Sequence, residues 1–292
     1  MIERLGIITD EVSNDFVEAL DWVREQRLKH VEIRTVNGRN IMNLSDDEIE
    51  RIRTAVEQNG LFVSGVASPI FKCALDPSRA VASGDTHGQS EDHVAAHFGK
   101  LTRAMRISKI LGTSNIRIFS FWRELDPAQY EDEIVSHLKK AAVMAESENV
   151  LLLLENEPSC NGGFATEVGR MVRRVNSSAL KVLWDPGNEE YGGSRSYPDG
   201  YEMVKGIVRH VHLKDAYVDA EGLAHCVPIG AGNVPLIRQL QALNRDGYSG
   251  LFTIETHYIP RGGKAIDGSN ITLDALRALL KNAEMEFPHA TP

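Results

Sequence analysis

The sequence predicts an α/β protein folded as a single (β/α)8 TIM barrel over residues 1–292. Three observations point there. Eight short apolar runs recur along the chain, an amphipathic stretch follows each, and no long linker breaks the alternation. Strands alternating with helices are the pattern of a parallel sheet wrapped by helices. Two small domains would also fit 292 residues, as would an open doubly wound sheet. A barrel, however, commonly runs to roughly 250 residues as one domain. No GxGxxG follows the first run, which removes the dinucleotide-binding version of the open sheet.

In chain order, the first two runs are RLGIITDEV (4–12) and HVEIRTV (30–36). The segment 46–60 then reads as a helix. Ile49, Ile52 and Val56 fall at helical spacing, acids fill the first turn, and Gly60 is a stop signal. The third run, LFVSGVASP (61–69), leads into a long connection at 70–90, and a helix follows over 91–112 with Gly112 at its end. NIRIFSFW (115–122) precedes a helix over 126–150, with Pro127 at its first position. In VLLLLENEP (150–158), the four leucines indicate a strand covered on both faces. LKVLWDPGN (180–188) and VRHVHLKDA (208–216) come next. A second long connection spans 217–234, before LFTIETHY (251–258) and a closing helix at 271–285. The tail 288–292 is expected to fray. Both long connections would leave the carboxyl ends of strands, the face where barrels carry their chemistry. Loops of that length are usually lids, binding loops or disorder.

Composition excludes several classes. With 42% hydrophobic and 25% charged residues the chain is an ordinary globular one, and its net charge of −9 repels phosphate backbones. No Lys/Arg cluster stands in the sequence to override that charge, so no nucleic-acid partner is expected. Cys73, Cys160 and Cys226 are odd in number and far apart. They suggest neither a disulfide framework nor a zinc ribbon, and a reduced cytoplasmic compartment fits. The opening MIERLGIITDEV lacks the apolar stretch of a secretory signal. No apolar run approaches the roughly 20 residues that span a bilayer.

The chemistry is read from charged residues that interrupt apolar strands near their carboxyl ends. Glu155 follows four leucines, Asp185 follows VLW, His212 lies in HVHLKD, and Glu255 follows FTI. They are 30, 27 and 43 residues apart, about one β/α unit each, the last stretched by the 217–234 connection. The four strands are consecutive around a barrel, so the side chains can converge. Three carboxylates that close would repel one another unless a dication lay between them. Three carboxylates and one imidazole suit Mn²⁺ or Mg²⁺, and Co²⁺ and Zn²⁺ also fit. Singly, each acid could equally be a helix cap or an ion-pair partner, and His212 a satisfied core histidine with His210 on the same side. Four interruptions at equivalent places on successive strands weaken that reading.

At these positions the sequence resembles the xylose isomerase-like TIM barrels, a superfamily of sugar (phosphate) isomerases and epimerases that includes inosose dehydratases and endonuclease IV. The resemblance covers nearly the whole chain. It rests on SGVASPIFK (64–72), LLLLENEP (151–158), VLWDPGN (182–188), HVHLKD (210–215), VPIGAGNV (227–234) and FTIET (252–256). It implies one divalent metal ion held by Glu155, Asp185, His212 and Glu255. It further implies an isomerase or epimerase of a sugar, sugar phosphate or related polyol, with Glu155 and Glu255 as acid and base.

Around that centre, Lys214 is expected to hold a substrate oxygen or stabilise an enediolate, and a surface cation is the alternative reading. Glu157 reads either as a partner that supports the metal ligands or as a substrate contact, and Lys72, Trp122 and His257 are further substrate-contact candidates at strand ends, although an aromatic such as Trp122 is more often core. Asn188 stands where some ketose epimerases carry a histidine, a departure from the ketose 3-epimerase pattern. His87, His93 and His97 read as loop and helix-face residues, and His225 and Cys226 are assigned nothing. The main rival is a lyase on the same scaffold, an inosose-type dehydratase or an enzyme that β-eliminates an oxidised sugar. An abasic-site endonuclease would need extra histidines, which the strand-two end EIRTV lacks. A barrel that only binds would have no need of all four ligands. The expected partner is a small carbohydrate, with homo-oligomer formation left open.

Overall fold

The computed structural model describes residues 4–283. Eight parallel strands close into a barrel: β1 (Leu5–Ile8), β2 (His30–Ile33), β3 (Phe62–Ile70), β4 (Asn115–Ile118), β5 (Leu151–Glu155), β6 (Leu180–Trp184), β7 (Val208–Leu213) and β8 (Leu251–Ile254). Each falls inside an apolar run read from the sequence, except that β3 continues one residue past its run, to Ile70. The barrel closes where Leu5, Gly6 and Ile7 of β1 pair with Phe252, Thr253 and Ile254 of β8. Strands β5 to β8 are consecutive neighbours, as convergence of the four candidate ligands requires.

The helices are α1 (Phe16–Glu25), α2 (Asp46–Gln58), α3 (Val94–Leu111), α4 (Glu131–Ser147), α5 (Ala165–Val175), α6 (Pro186–Tyr191), α7 (Tyr201–Val204), α8 (Leu236–Arg245) and α9 (Ala265–Asn282). In α2 the apolar stripe Ile49, Ile52 and Val56 is buried. The helix opens with a capping box in which Ser45 N donates to Glu48 Oε2 (2.7 Å) and Glu48 N donates to Ser45 Oγ (3.3 Å). Gly112 ends α3 with φ at +74°, a conformation that costs glycine little. Pro127 opens a 3₁₀ turn, Pro127–Tyr130, that feeds α4. The closing helix begins at Ala265, earlier than the sequence suggested, because the polar stretch AIDGSN hides its first turn and a half. Residues 284–285 and 288–292 lie outside the described residues.

The two long connections differ. After β3 the chain runs without helix to Val94. The region after β7 is not a plain loop, since Asp215–Val218 and Ala224–Val227 pair as an antiparallel hairpin. Asp215 anchors the return of that segment by accepting from the backbone N–H groups of Gly230 (2.8 Å), Gly232 (3.1 Å) and Val234 (3.0 Å). Among the described residues no helix is long and apolar enough to cross a membrane.

Candidate metal centre

Glu155 ends β5, His212 lies in β7, and Asp185 and Glu255 directly follow β6 and β8. All four are buried, and each offers a ligand atom within 4.8 Å of the others. His212 Nδ1 lies 3.1 Å from both Glu155 Oε1 and Glu255 Oε2.

Asp185 does two things at once. Its Oδ1 caps α6 by accepting from Asn188 N at 2.9 Å, with Pro186 in the first turn. Its Oδ2 is buried and accepts no hydrogen bond of good geometry, although the Lys214 ammonium is 2.9 Å away. A buried carboxylate oxygen without such a bond is costly. Aimed into a cluster of two more carboxylates and an imidazole, it fits a divalent cation. Asn156 fixes the backbone here, donating to Asp185 O and accepting from Asp185 N, both at 2.9 Å.

Electrostatics bind the cluster to its neighbours. Burial alone would lower the His212 pKa, but Glu32, Glu255 and Glu155 outweigh it and hold the imidazole well above its ordinary value. Burial raises Asp185, with Lys214 opposing. For Glu255 burial acts upward, yet Lys214, His212 and His257 carry it well below the usual carboxylate range. Lys214 is pushed down by burial and pulled well above its ordinary value by Asp185 and Glu255.

The other expected contact residues divide. Lys72, Glu157, Asn188, Lys214 and His257 line one cavity of about 480 Å³ together with Glu155 and Glu255. Trp122 does not join them. It is fully buried against Phe119 and Cys160, and the Lys72 ammonium lies 5.8 Å from its ring centre. The aromatic that reaches the wall is Phe119. Both long connections contribute to the cavity, through Gly84 and His87 from the first and Cys226 from the second. His87 thus lies in the loop as expected, yet at the cavity. His97 is a buried helix residue that accepts from Phe71 N at 2.8 Å.

Four residues escaped the sequence reading. Glu32 and Arg34, at the end of β2, and Arg117, in β4, all reach the centre. Arg34 donates to Glu255 (2.9 Å) and Glu11 (2.6 Å). Arg117 Nη1 lies 3.2 Å from Glu155 and 3.1 Å from Glu255. The signal was present, because Glu32, Arg34 and Arg117 interrupt their apolar runs just as the four ligand candidates do. Gly187 is the fourth. A Cβ there would lie 2.7 Å from Lys214 Cβ, so only glycine lets α6 pack this closely on that lysine.

The profile of the xylose isomerase-like TIM barrel family matches residues 20–281. No curated protein matches by sequence. Solved structures share the fold. The IOLI protein with a bound zinc atom superposes with a TM-score of 0.72 at 16% identity, over 96% of this chain and 98% of that one. D-psicose 3-epimerase from Clostridium cellulolyticum H10, solved with D-tagatose, gives 0.68 at 16% identity over 96% and 98%. The "probable 3-DHS dehydratase AsbF" of Bacillus anthracis gives 0.69 at 14% identity over 94% and 98%. At such identities these likenesses concern the fold alone, whereas the profile spans most of the chain, and the chain belongs to the xylose isomerase-like TIM barrel family.

Proposed function

We propose that this protein is a divalent-metal-dependent isomerase or epimerase of a sugar, sugar phosphate or related polyol, acting by proton transfer through an enediolate. The observation that carries the reading is the buried meeting of Glu155, Asp185, His212 and Glu255, with an Asp185 oxygen lacking a good hydrogen bond among them. These four would hold the ion, with Mn²⁺ expected and Mg²⁺, Co²⁺ or Zn²⁺ also suited to the set. When bound, such an ion supplies polarisation of a carbonyl and acidifies the neighbouring C–H. Glu155 and Glu255 come from different strands of the same cavity and would take and return the proton. Lys214, buried beside them, would donate to the oxygen that gains negative charge. Asn188, Glu157, Lys72 and His257 share the cavity and would hold hydroxyls.

The test is solvent exchange. Mn²⁺-loaded protein in deuterated water is given a panel of keto sugars and inosose, and NMR follows label at the carbon beside the carbonyl. Deuterium in substrate or in an equal-mass product, lost in Glu155→Gln and Glu255→Gln, is the expected result. A product lighter by water makes the protein a lyase, which begins with the same proton abstraction. Product without label refutes proton transfer, and full activity without metal refutes the whole reading.

A further inference from the structure

We infer that His97 is a positioning residue: it holds Phe71 in a left-handed backbone conformation and so aims Lys72 into the cavity of the candidate metal centre. The purpose of that aim rests on the proposed function, to which the inference adds a residue outside the cavity lining.

The strain lies just past the end of β3. Lys72 N donates to Pro69 O at 3.0 Å and closes a four-residue turn. Phe71 is its third residue, with φ at +67°. Turns with a left-handed third residue ordinarily take glycine or asparagine there, and a bulky side chain at positive φ is an outlier. Such strain persists only where the surroundings over-determine it, and it gathers at functional sites. Here the chain is pinned on both sides. Ile70 O accepts from Phe119 N and Cys73 O from Trp122 N, both at 2.9 Å. What remains free to turn is the Phe71–Lys72 pair. The conformation it adopts sends the Phe71 ring toward α3, 5.3 Å from the Phe98 ring and 4.9 Å from that of Phe121, while Lys72 lines the cavity.

His97 supplies the hold. Phe71 N is buried and donates to His97 Nδ1 at 2.8 Å. A backbone N–H only donates, so Nδ1 accepts and the ring proton lies on Nε2. Burial, with Lys100 adding to it, pushes the His97 pKa down to about 4, which keeps the acceptor available at neutral pH. The imidazole is itself buried, in the first turn of α3. Without that acceptor the Phe71 N–H becomes an orphaned buried donor, and the strained residue loses the bond that compensates it. The turn then relaxes toward negative φ and carries Lys72 away from Asp85 O and Glu157 Oε2, to which its Nζ lies at 3.1 Å and 3.4 Å.

The experiment needs no substrate. Mn²⁺-loaded protein is acetylated with acetic anhydride, and peptide mass spectrometry reads the rates at Lys72 and at Lys214, a buried lysine of the same cavity. His97→Leu removes the acceptor, His97→Gln moves it one bond too far, and His97→Asn keeps one at the place of Nδ1. In the first two, Lys72 should react at least about tenfold faster, as release from a strained posture implies. Lys214 should stay within about twofold of the parent, since it shares no partner with His97. His97→Asn should restore the slow rate. No acceleration at Lys72, equal acceleration of both lysines, or a fast His97→Asn overturns the inference. If His97→Leu does not fold, His97→Gln decides. The variants then enter the deuterium-exchange assay. The loss in His97→Leu should match that in Lys72→Met, and His97→Leu added to Lys72→Met should cost less than about a further twofold. A large further loss there means that His97 does not act through Lys72, and overturns the inference. Absence of exchange in the parent sinks the proposed function alone, because the labelling rates decide where His97 aims Lys72.

Discussion

His212 turns Nε2 toward Glu32, 3.0 Å away, and so presents Nδ1 to Glu155 and Glu255. A carboxylate on one ring nitrogen fixes the tautomer and frees the other nitrogen as a ligand. Glu32 Oε2 also meets His210 Nε2 at 3.1 Å, which ties the first histidine of HVH to the same anchor. Glu32→Gln should therefore weaken Mn²⁺ binding by about 10–100-fold without unfolding the barrel. Calorimetry on the variant measures this, and unchanged affinity means Glu32 does not orient His212.

Asp185 caps α6 with one oxygen and leaves the other to the centre. Two substitutions separate these roles. Asp185→Asn keeps a capping acceptor and removes the charge, whereas Asp185→Ala removes both. Both variants should lose metal affinity. Asp185→Ala should be about 1 kcal/mol less stable than Asp185→Asn in metal-free urea unfolding. Equal stabilities would show that the cap contributes nothing.

Glu189 gives a pH signature. Its carboxyl is buried, and burial, against hydrogen bonds from Ala165 N and Ser194, raises its pKa from 4.5 to about 7. A raised pKa means that the fold favours the protonated form. The stabilisation is complete below pH 4.5 and is lost as pH rises toward 7. Glu189→Gln should flatten this part of the stability–pH profile and leave the variant more stable than the parent at pH 8, by on the order of 2 kcal/mol. Parallel profiles for the two proteins would refute it.

Much of this architecture is legible in the sequence, and the reasons are local. LLLL at 151–154 indicates a strand with both faces covered, and Leu152 and Leu153, which point to opposite faces of β5, are both buried. Glu155, Asp185, His212 and Glu255 stand out because each interrupts an apolar run near its carboxyl end. Arg34 and Arg117 break the same rule on β2 and β4, but a lone arginine in a strand has no partner until the barrel closes. Glu255 lies 221 residues from Arg34 and 138 from Arg117. The basic residues were dispersed in sequence and convergent in space, each against a carboxylate, so no basic cluster could be read. Trp122 was open between two readings. A tryptophan at a strand end suits a cavity wall or the layer behind it, and packing against Phe119 and Cys160 puts it in the layer behind.

The two candidate acid–base residues should differ in what they do for the fold. Glu255 accepts from Arg34 at 2.9 Å and lies 3.1 Å from Arg117, 3.1 Å from His212 and 3.4 Å from Lys214. Glu155 meets only Arg117 at 3.2 Å and His212 at 3.1 Å among these. Removing one member of a buried ion pair leaves its partner's charge poorly compensated, at a typical cost of about 3–5 kcal/mol. Arg34 would keep Asp10 and Glu11, and Arg117 would keep Glu155, so the cost of Glu255→Ala should fall near the low end, about 3 kcal/mol. Glu155→Ala leaves Arg117 with Glu255 and should cost less. Urea unfolding of metal-free protein compares them directly. Mn²⁺ should raise the melting temperature of the parent, because a ligand that binds the native state stabilises it, and should raise neither variant. Glu255→Ala no less stable than Glu155→Ala would mean that the arginines on β2 and β4 do not depend on Glu255, and that its place among them is not what holds the barrel mouth together.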